Sequence, residues 1–162
     1  SIITAEEPAG DIMRLLLNTL HFLENGKMLP ELLKAVFELR AMCLIGYAPN
    51  LIACNSCGHY EKDMFWFDLS RGCAVCMECK PAGDPKDDMP MSKAVFLAAR
   101  HIVYAPPEKL FSFRLGENAS AELSRITEKY AALQTDKNYP TLEFLNSTKE
   151  VFKEPSFAAT EE

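Results

Sequence analysis

The chain has 162 residues, of which 48% are hydrophobic and 25% are charged, and its formal net charge at pH 7 is −6. This length suits one domain, or one domain with a small insert, and the apolar content is sufficient for a buried core. The acidic balance argues against a surface dominated by nucleic-acid binding, because phosphate contacts need clustered Lys and Arg. No apolar run reaches about 18 residues, so no membrane-spanning helix is expected.

Two amphipathic helices are expected at the start of the chain. Asp11 can cap the first helix, whose apolar residues recur at three- and four-residue steps on one face until Gly26. Pro30 suits the first turn of a second helix, which continues with the same spacing to Gly46. The short connection predicts an antiparallel pair.

A β-hairpin is expected after the second helix. Pro49 and Asn50 interrupt the helical pattern, and residues 64–68 are rich in strand-forming side chains. Ser70-Arg71-Gly72 can then turn the chain back. A ribbon of about 30 residues is too small to fold alone, so it should depend on a bound metal.

Helical pattern returns in the second half of the chain. Residues 81–91 contain three prolines and predict an irregular connection, and Ser92 is placed to cap a third helix that Pro106-Pro107 ends. A shorter element around Leu110 to Phe113 precedes a fourth helix from about Glu117 to Thr135. An apolar turn at Leu142, Phe144 and Leu145 could follow.

These elements predict a mainly α fold, in which a helical bundle-like domain carries an inserted small β zinc ribbon. The helical domain would comprise residues 1–49 and 81–146, and the ribbon residues 50–80. Residues 147–162 are acidic and lack periodicity, which predicts a disordered tail.

Cysteine spacing is the strongest chemical signal in the sequence. Cys54 and Cys57 form one C-x-x-C pair and Cys76 and Cys79 form another, with 18 residues between the two pairs. Paired knuckles at this spacing are typical of a single zinc ion held by four thiolates, and a disulfide framework or a redox pair is the alternative. A site with four protein ligands is coordinatively full, so the predicted metal is structural.

The second pair can be read in two ways. Cys73 with Cys76 would leave 15 residues between the pairs, which also fits a ribbon. We favour Cys76 with Cys79, because Cys73 falls inside the expected strand, where the backbone is extended. His59 could substitute as a ligand, although its place directly after Gly58 suits a supporting role better.

No enzymatic motif stands out. The sequence lacks the H-E-x-x-H pair of zinc hydrolases, a glycine-rich phosphate loop and a nucleophile elbow. A catalytic zinc also keeps an open coordination position, which four cysteines would fill. We therefore expect a binding or assembly module and not an enzyme.

Several segments together resemble the C-terminal region of the RecO family of bacterial DNA repair proteins. They are Phe37-Glu38-Leu39-Arg40, Leu44-Ile45-Gly46-Tyr47-Ala48-Pro49 leading to Cys54-x-x-Cys57-Gly58, Phe67-Asp68 before Gly72 and Cys76-x-x-Cys79, and Leu115 to Leu145 with Thr141-Leu142-Glu143-Phe144-Leu145. The resemblance covers most of residues 11–146. In the family pattern a non-ligand usually stands where Cys73 stands, which supports the chosen pairing.

The resemblance implies a cytoplasmic recombination mediator. Proteins of this family help to load RecA onto single-stranded DNA coated by the single-stranded-DNA-binding protein SSB, work with RecR, and anneal complementary strands. The family also carries an N-terminal OB-fold that is a major DNA-binding surface. No strand-rich segment precedes the first expected helix, so we expect the chain to be the C-terminal part of a longer protein.

The resemblance also implies a groove on the helical domain for the acidic, Phe-ending tail of SSB. Such a groove needs an apolar pocket for the aromatic ring and a basic rim for the carboxylates. The candidate rim or DNA-contact residues are Arg100, His101, Arg125, Lys129 and Lys137. Pro140 stands where family members often have a basic residue.

A free-standing zinc-ribbon regulator that binds nucleic acid is the alternative. It would need a basic ribbon, yet residues 54–80 contain three Lys or Arg residues and four Asp or Glu residues. This balance favours the recombination mediator.

Overall fold

The computed structural model describes residues 8–81 and 86–138. Four helices, α1 (Pro8–Glu24), α2 (Pro30–Leu44), α3 (Lys93–Tyr104) and α4 (Glu117–Asn138), surround a small sheet of strands β1 (Met64–Asp68), β2 (Cys73–Cys76) and β3 (Asp88–Ser92). A 3₁₀ turn at Pro107–Lys109 links α3 to α4. The expected mainly α fold with a small β ribbon is confirmed. None of the helices in these ranges combines the length and apolar character needed to cross a bilayer.

The central helix of the fold is α2. It contacts α1, α3 and α4, and it buries six side chains along its length: Leu32, Leu33, Ala35, Val36, Leu39 and Met42. Apolar residues on more than one side allow a helix to be covered on several sides. The expected pairing of α1 with α2 is confirmed, and α1 begins at Pro8, one turn before Asp11.

The sheet is antiparallel, with strand order β2-β1-β3. Phe65 on β1 is paired with Cys76 on β2 and with Met91 on β3. Phe65 and Phe67 are buried, whereas Trp66 and Asp68 are half-buried, as alternation along a strand requires. One face of the ribbon therefore packs on the helices.

The expectation of an irregular connection over residues 81–91 is wrong at its end, because β3 occupies Asp88–Ser92. The three prolines of residues 81–91 favoured an irregular segment over a strand in the sequence-based prediction. Pro90 is exposed, and on an outer strand a missing N–H costs no ladder hydrogen bond. The outward Ser92 N–H donates to Glu122 Oε1 at 2.9 Å, so α4 covers part of that edge.

Two local expectations also need correction. Ser92 directly precedes α3, but its side chain makes no capping bond to the helix; its Oγ donates to Glu122 Oε2 at 3.3 Å. The short element expected at Leu110 to Phe113 is a 3₁₀ turn that begins three residues earlier, at Pro107, because proline fits the first turn of a helix.

The apolar turn at Leu142 to Leu145 and the tail of residues 147–162 lie outside the described residues. The domain bounds at residues 50 and 80 stay a prediction.

Candidate metal centre

The first knuckle is a tight turn at the start of the ribbon. Gly58 N–H donates to Cys54 O at 2.9 Å, and Cys54 N–H donates to His59 O at 2.8 Å. Gly58 has a φ of +75°, a left-handed conformation that residues with a Cβ adopt at a cost. This turn directs Cys54 and Cys57 toward the same point.

The second knuckle begins at the last residue of β2. The backbone N–H groups of Cys79 and Lys80 both donate to Cys76 O, each at 3.1 Å. Cys76 N–H donates in turn to Cys54 Sγ at 3.3 Å, which links the two knuckles. The hairpin thus carries the second pair back to the first.

The four predicted cysteines come together at one point. One sulfur from each of Cys54, Cys57, Cys76 and Cys79 lies within 4.8 Å of every other, and the sulfurs of Cys57 and Cys76 are 3.7 Å apart. A tetrahedral zinc with Zn–S bonds of about 2.3 Å places its sulfurs about 3.8 Å apart. The geometry therefore fits a metal ion. Cys54 and Cys76 are buried, Cys79 is half-buried and Cys57 is exposed.

The electrostatics of the cluster favour a cation. Burial raises the pKa of Cys54, but backbone N–H groups of Cys76, Cys57 and Ser56 donate to its sulfur, and the net effect lowers that pKa. The neighbouring sulfurs of Cys57 and Cys76 raise the pKa of Cys79. Since adjacent thiolates repel each other, protons must remain among the four sulfurs unless a positive ion replaces them.

Supporting contacts surround the sulfurs. His59 Nδ1 lies 3.2 Å from Cys57 Sγ, consistent with the supporting role expected from the sequence. Lys62 Nζ donates to Glu78 Oε1 at 2.8 Å and so connects the chain after the first knuckle to the second knuckle. The sequence did not predict this pair, because its partners are sixteen residues apart and fit no local pattern.

The other cysteines lie away from the sulfur cluster. Cys73 is buried on β2 opposite Asp68 and is not one of the four clustered residues. Burial raises the pKa of the Cys73 thiol. Cys43 lies on α2, where burial raises its pKa to about 11. Both should remain neutral thiols at physiological pH.

The candidate contact residues are spread over α3 and α4. Arg100 lies over the Tyr60 ring, with Cζ 5.4 Å from the centroid, and His101 Nε2 lies 2.9 Å from Lys109 O. Arg125 and Lys129 are exposed on α4. Lys137 lies in the last turn of that helix, and its side chain is outside the described residues. Among the described side chains, no hydrogen bond or ion pair joins any two of these candidates.

Several depressions among the described residues bring apolar and basic groups together. One open groove of about 420 Å³ lies between the ribbon and α4, and its lining comprises Met64, Met89, Pro90, Ser92, Glu122 and Arg125. A second pocket, between α1 and α2, contains Arg14 and Arg40 but has a volume of only about 40 Å³. A benzene-sized cavity is about 150 Å³, so the second pocket is too small for a phenyl ring. The sequence predicted neither, because each joins segments distant along the chain.

Comparisons with known proteins agree on one family. The family described as "Recombination protein O C terminal" matches residues 1–143. The chain is similar to proteins named "DNA repair protein RecO" from Acetivibrio thermocellus, with 29% identity over 90% of the chain and 57% of that protein, and from Caldicellulosiruptor saccharolyticus, with 28% identity over 92% and 59%. It thus spans less than two thirds of these relatives. No solved structure is significantly similar.

Proposed function

The chain belongs to the recombination protein O (RecO) family of DNA repair proteins, and on that premise we propose that it is the C-terminal module of a recombination mediator. The whole protein would help to load RecA onto SSB-coated single-stranded DNA and promote annealing, acting in the cytoplasm with RecR. This module would supply protein contacts and an accessory DNA surface. Single-stranded DNA would bind mainly through an N-terminal OB-fold.

One observation carries the proposal: a four-sulfur cluster lies inside the segment that matches the family. We propose that Cys54, Cys57, Cys76 and Cys79 hold one zinc ion. Four protein ligands leave no position for a substrate or a reactive water, so the metal would stabilise the ribbon and perform no catalysis. This supports a non-enzymatic role.

The acidic, Phe-ending tail of SSB is the proposed ligand of the groove beside Arg125. The methionines Met64 and Met89 provide flexible apolar surface that could contact an aromatic ring. Arg125 would pair with a carboxylate of the tail, and Arg100 and Lys129 would extend the basic rim. Within the described residues none of these three has an acidic partner, so each could bind an added carboxylate without breaking an ion pair.

The test is fluorescence anisotropy of a labelled SSB-tail peptide titrated with the zinc-loaded chain at two salt concentrations. We expect saturable binding that weakens with salt and disappears when the terminal Phe of the peptide is removed. Replacing Arg100, Arg125 and Lys129 by Ala should weaken binding by about tenfold or more, since a charge-assisted hydrogen bond contributes about 1.5–3 kcal/mol.

Lys109→Ala is the matched control, because Lys109 is an exposed cation in the 3₁₀ turn and does not line the groove. It should leave the affinity within about twofold. An unchanged affinity after the triple substitution would refute the placement of the peptide site. No binding at either salt concentration would refute an SSB contact on this module.

A further inference from the structure

The sequence after α4 carries an aromatic residue between two carboxylates. The family match ends at residue 143, and beyond it Phe152 is preceded by Glu150 and followed by Glu154, each two positions away. Side chains two positions apart lie on one side of an extended segment, so these three would face the same surface and Lys153 would face away from it. Such a segment fits an apolar groove with cations at its rim.

The groove between the ribbon and α4 has this composition. Its volume of about 420 Å³ is larger than the roughly 150 Å³ of a benzene-sized cavity, and Met64 and Met89 supply apolar surface that can adapt to a ring. The acidic residue of the lining, Glu122, already accepts hydrogen bonds from Ser92 N–H at 2.9 Å and from Ser92 Oγ at 3.3 Å. An incoming carboxylate would therefore pair with Arg125, the cation of the lining.

Two cations lead from the groove toward the end of α4. Arg125 and Lys129 are exposed and four residues apart, so they lie one turn apart on the same side of the helix. Within the ranges that the structure describes neither forms an ion pair, and Glu128 beside Lys129 is paired with Lys34 instead, at 2.8 Å. A segment that returns from the end of α4 would meet Lys129 first and Arg125 second.

We propose that the chain's own residues 150–154, which lie outside the described part of the chain, occupy this groove. Phe152 contacts the two methionines, Glu150 pairs with Lys129 and Glu154 pairs with Arg125, so that the segment runs antiparallel to α4. The segment then competes with an added acidic, Phe-bearing peptide for the same site. This competition rests on the proposed function, whereas occupancy of the groove by the segment does not.

The length of the connecting chain suits this return. Arg125 lies thirteen residues before Asn138, where α4 ends, which is about 20 Å along the helix axis. Fourteen residues separate Asn138 from Phe152, and an unstructured segment of that length has a root-mean-square span of about 20 Å. The effective concentration of a tethered ligand is highest when the two lengths match, and it reaches about 1 mM. With an intrinsic Kd of about 0.1 mM, the segment would weaken a competitor about tenfold.

Zero-length crosslinking of the full zinc-loaded chain with a carbodiimide tests the occupancy, because this reagent joins a carboxylate to a lysine amine that it contacts directly. Mass spectrometry of the monomeric band should find Glu150 linked to Lys129. Phe152→Ala should lower the yield of this link at least about fivefold, since loss of a buried ring weakens binding by more than about 1 kcal/mol. Phe157→Ala is the matched control, because the residues two positions on either side of Phe157 carry no charge. It should leave the yield unchanged.

A charge exchange tests the second ion pair. Arg125→Glu should lower the yield of the Glu150–Lys129 link, and adding Glu154→Arg should restore it. Arg125 is exposed, so its replacement should leave the circular dichroism and the zinc content unchanged. The proposal is overturned if the link is absent from the unsubstituted chain, if it joins two copies in a dimeric band, or if Phe152→Ala leaves its yield unchanged. Failure of Glu154→Arg to restore the link overturns the proposed pairing.

Anisotropy of the labelled SSB-tail peptide separates the occupancy from the proposed function. Phe152→Ala should tighten peptide binding about tenfold, and Phe157→Ala should leave it within about twofold. Measurable binding that Phe152→Ala does not tighten overturns the competition. A chain that forms the Glu150–Lys129 link, yet binds the SSB-tail peptide neither with Phe152 nor with Ala in its place, supports the occupancy and refutes the SSB contact alone.

Discussion

The side chains of Cys73 and Cys76 have different environments although both belong to β2. Residues three apart in a strand point to opposite faces, so both cannot approach the first knuckle from the same strand. Cys76 lies at the end of β2, where the chain turns into the second knuckle, and its sulfur is 3.7 Å from that of Cys57. Strand alternation thus supplies a physical reason for pairing Cys76 with Cys79.

Replacing Cys76 by Ser should abolish stoichiometric zinc binding and unfold the ribbon, because apparent metal binding energies of about 10–16 kcal/mol contribute to folding in small zinc modules. Zinc per chain, measured by inductively coupled plasma mass spectrometry after gel filtration, provides the readout. Cys73→Ser is the matched control and should retain one zinc per chain. The ligand assignment is wrong if the two variants behave the other way round.

The hairpin turn between β1 and β2 is tied to α4 by close packing. Gly72 has a φ of +62°, and a Cβ at this position would lie 2.8 Å from Tyr130 Oη. That hydroxyl donates to Tyr47 O at 2.9 Å, and the Tyr130 ring is 5.2 Å from that of Phe67. Gln134 Nε2 also donates to Leu69 O at 2.8 Å. The end of α4 therefore depends on the shape of this turn.

Gly72→Ala should destabilise the chain by about 2–3 kcal/mol, since it combines about 1 kcal/mol of left-handed strain with displacement of a hydrogen-bonded tyrosine. Gly26→Ala separates the two contributions, because Gly26 has the same φ of +62° but nothing within 4 Å of its Cβ position. It should cost about 1 kcal/mol. Urea unfolding measures both, and equal losses would contradict a role for Tyr130.

The ribbon and the helices share one hydrophobic core across the whole molecule. Phe65 on β1 stacks on Phe96 of α3 with ring centroids 3.9 Å apart. The same cluster of buried residues includes Cys54, Cys76, Val36 and Leu123. Loss of the ribbon would leave an uncovered apolar surface on the helices, so the two parts should unfold together.

Removing the metal with a strong chelator should lower the unfolding temperature of the whole chain by roughly 10 °C or more. Far-UV circular dichroism reports the helices, and the fluorescence of Trp66, the only tryptophan, reports the ribbon. Both signals should shift together. If the helical transition is unchanged while the Trp66 signal shifts, the ribbon folds independently of the helices, as the domain bounds expected from the sequence imply.

Much of the architecture was predictable from local pattern. The periodic apolar residues of α2 and α3 and the β-formers of Met64–Asp68 identified their elements, because short-range spacing reflects which side is buried. β3 was missed because it lacks the aromatic and β-branched residues typical of strands and contains Pro90, whose effect depends on its lying at the sheet edge. Which apolar residues of α1 face the core, with Leu15 buried, was also not predictable, since periodicity gives a face but not what covers it.

The four knuckle cysteines were recognisable from sequence alone, because a C-x-x-C turn brings two sulfurs together through local backbone geometry. Family membership was likewise recognisable, from short segments in a defined order. Only the tertiary structure brought the two sulfur pairs within 4.8 Å, paired Lys62 with Glu78, and placed Arg125 beside two methionines. These contacts join residues far apart along the chain: pairing of β1 with β2 sets the first two, and packing of the ribbon against α4 sets the third.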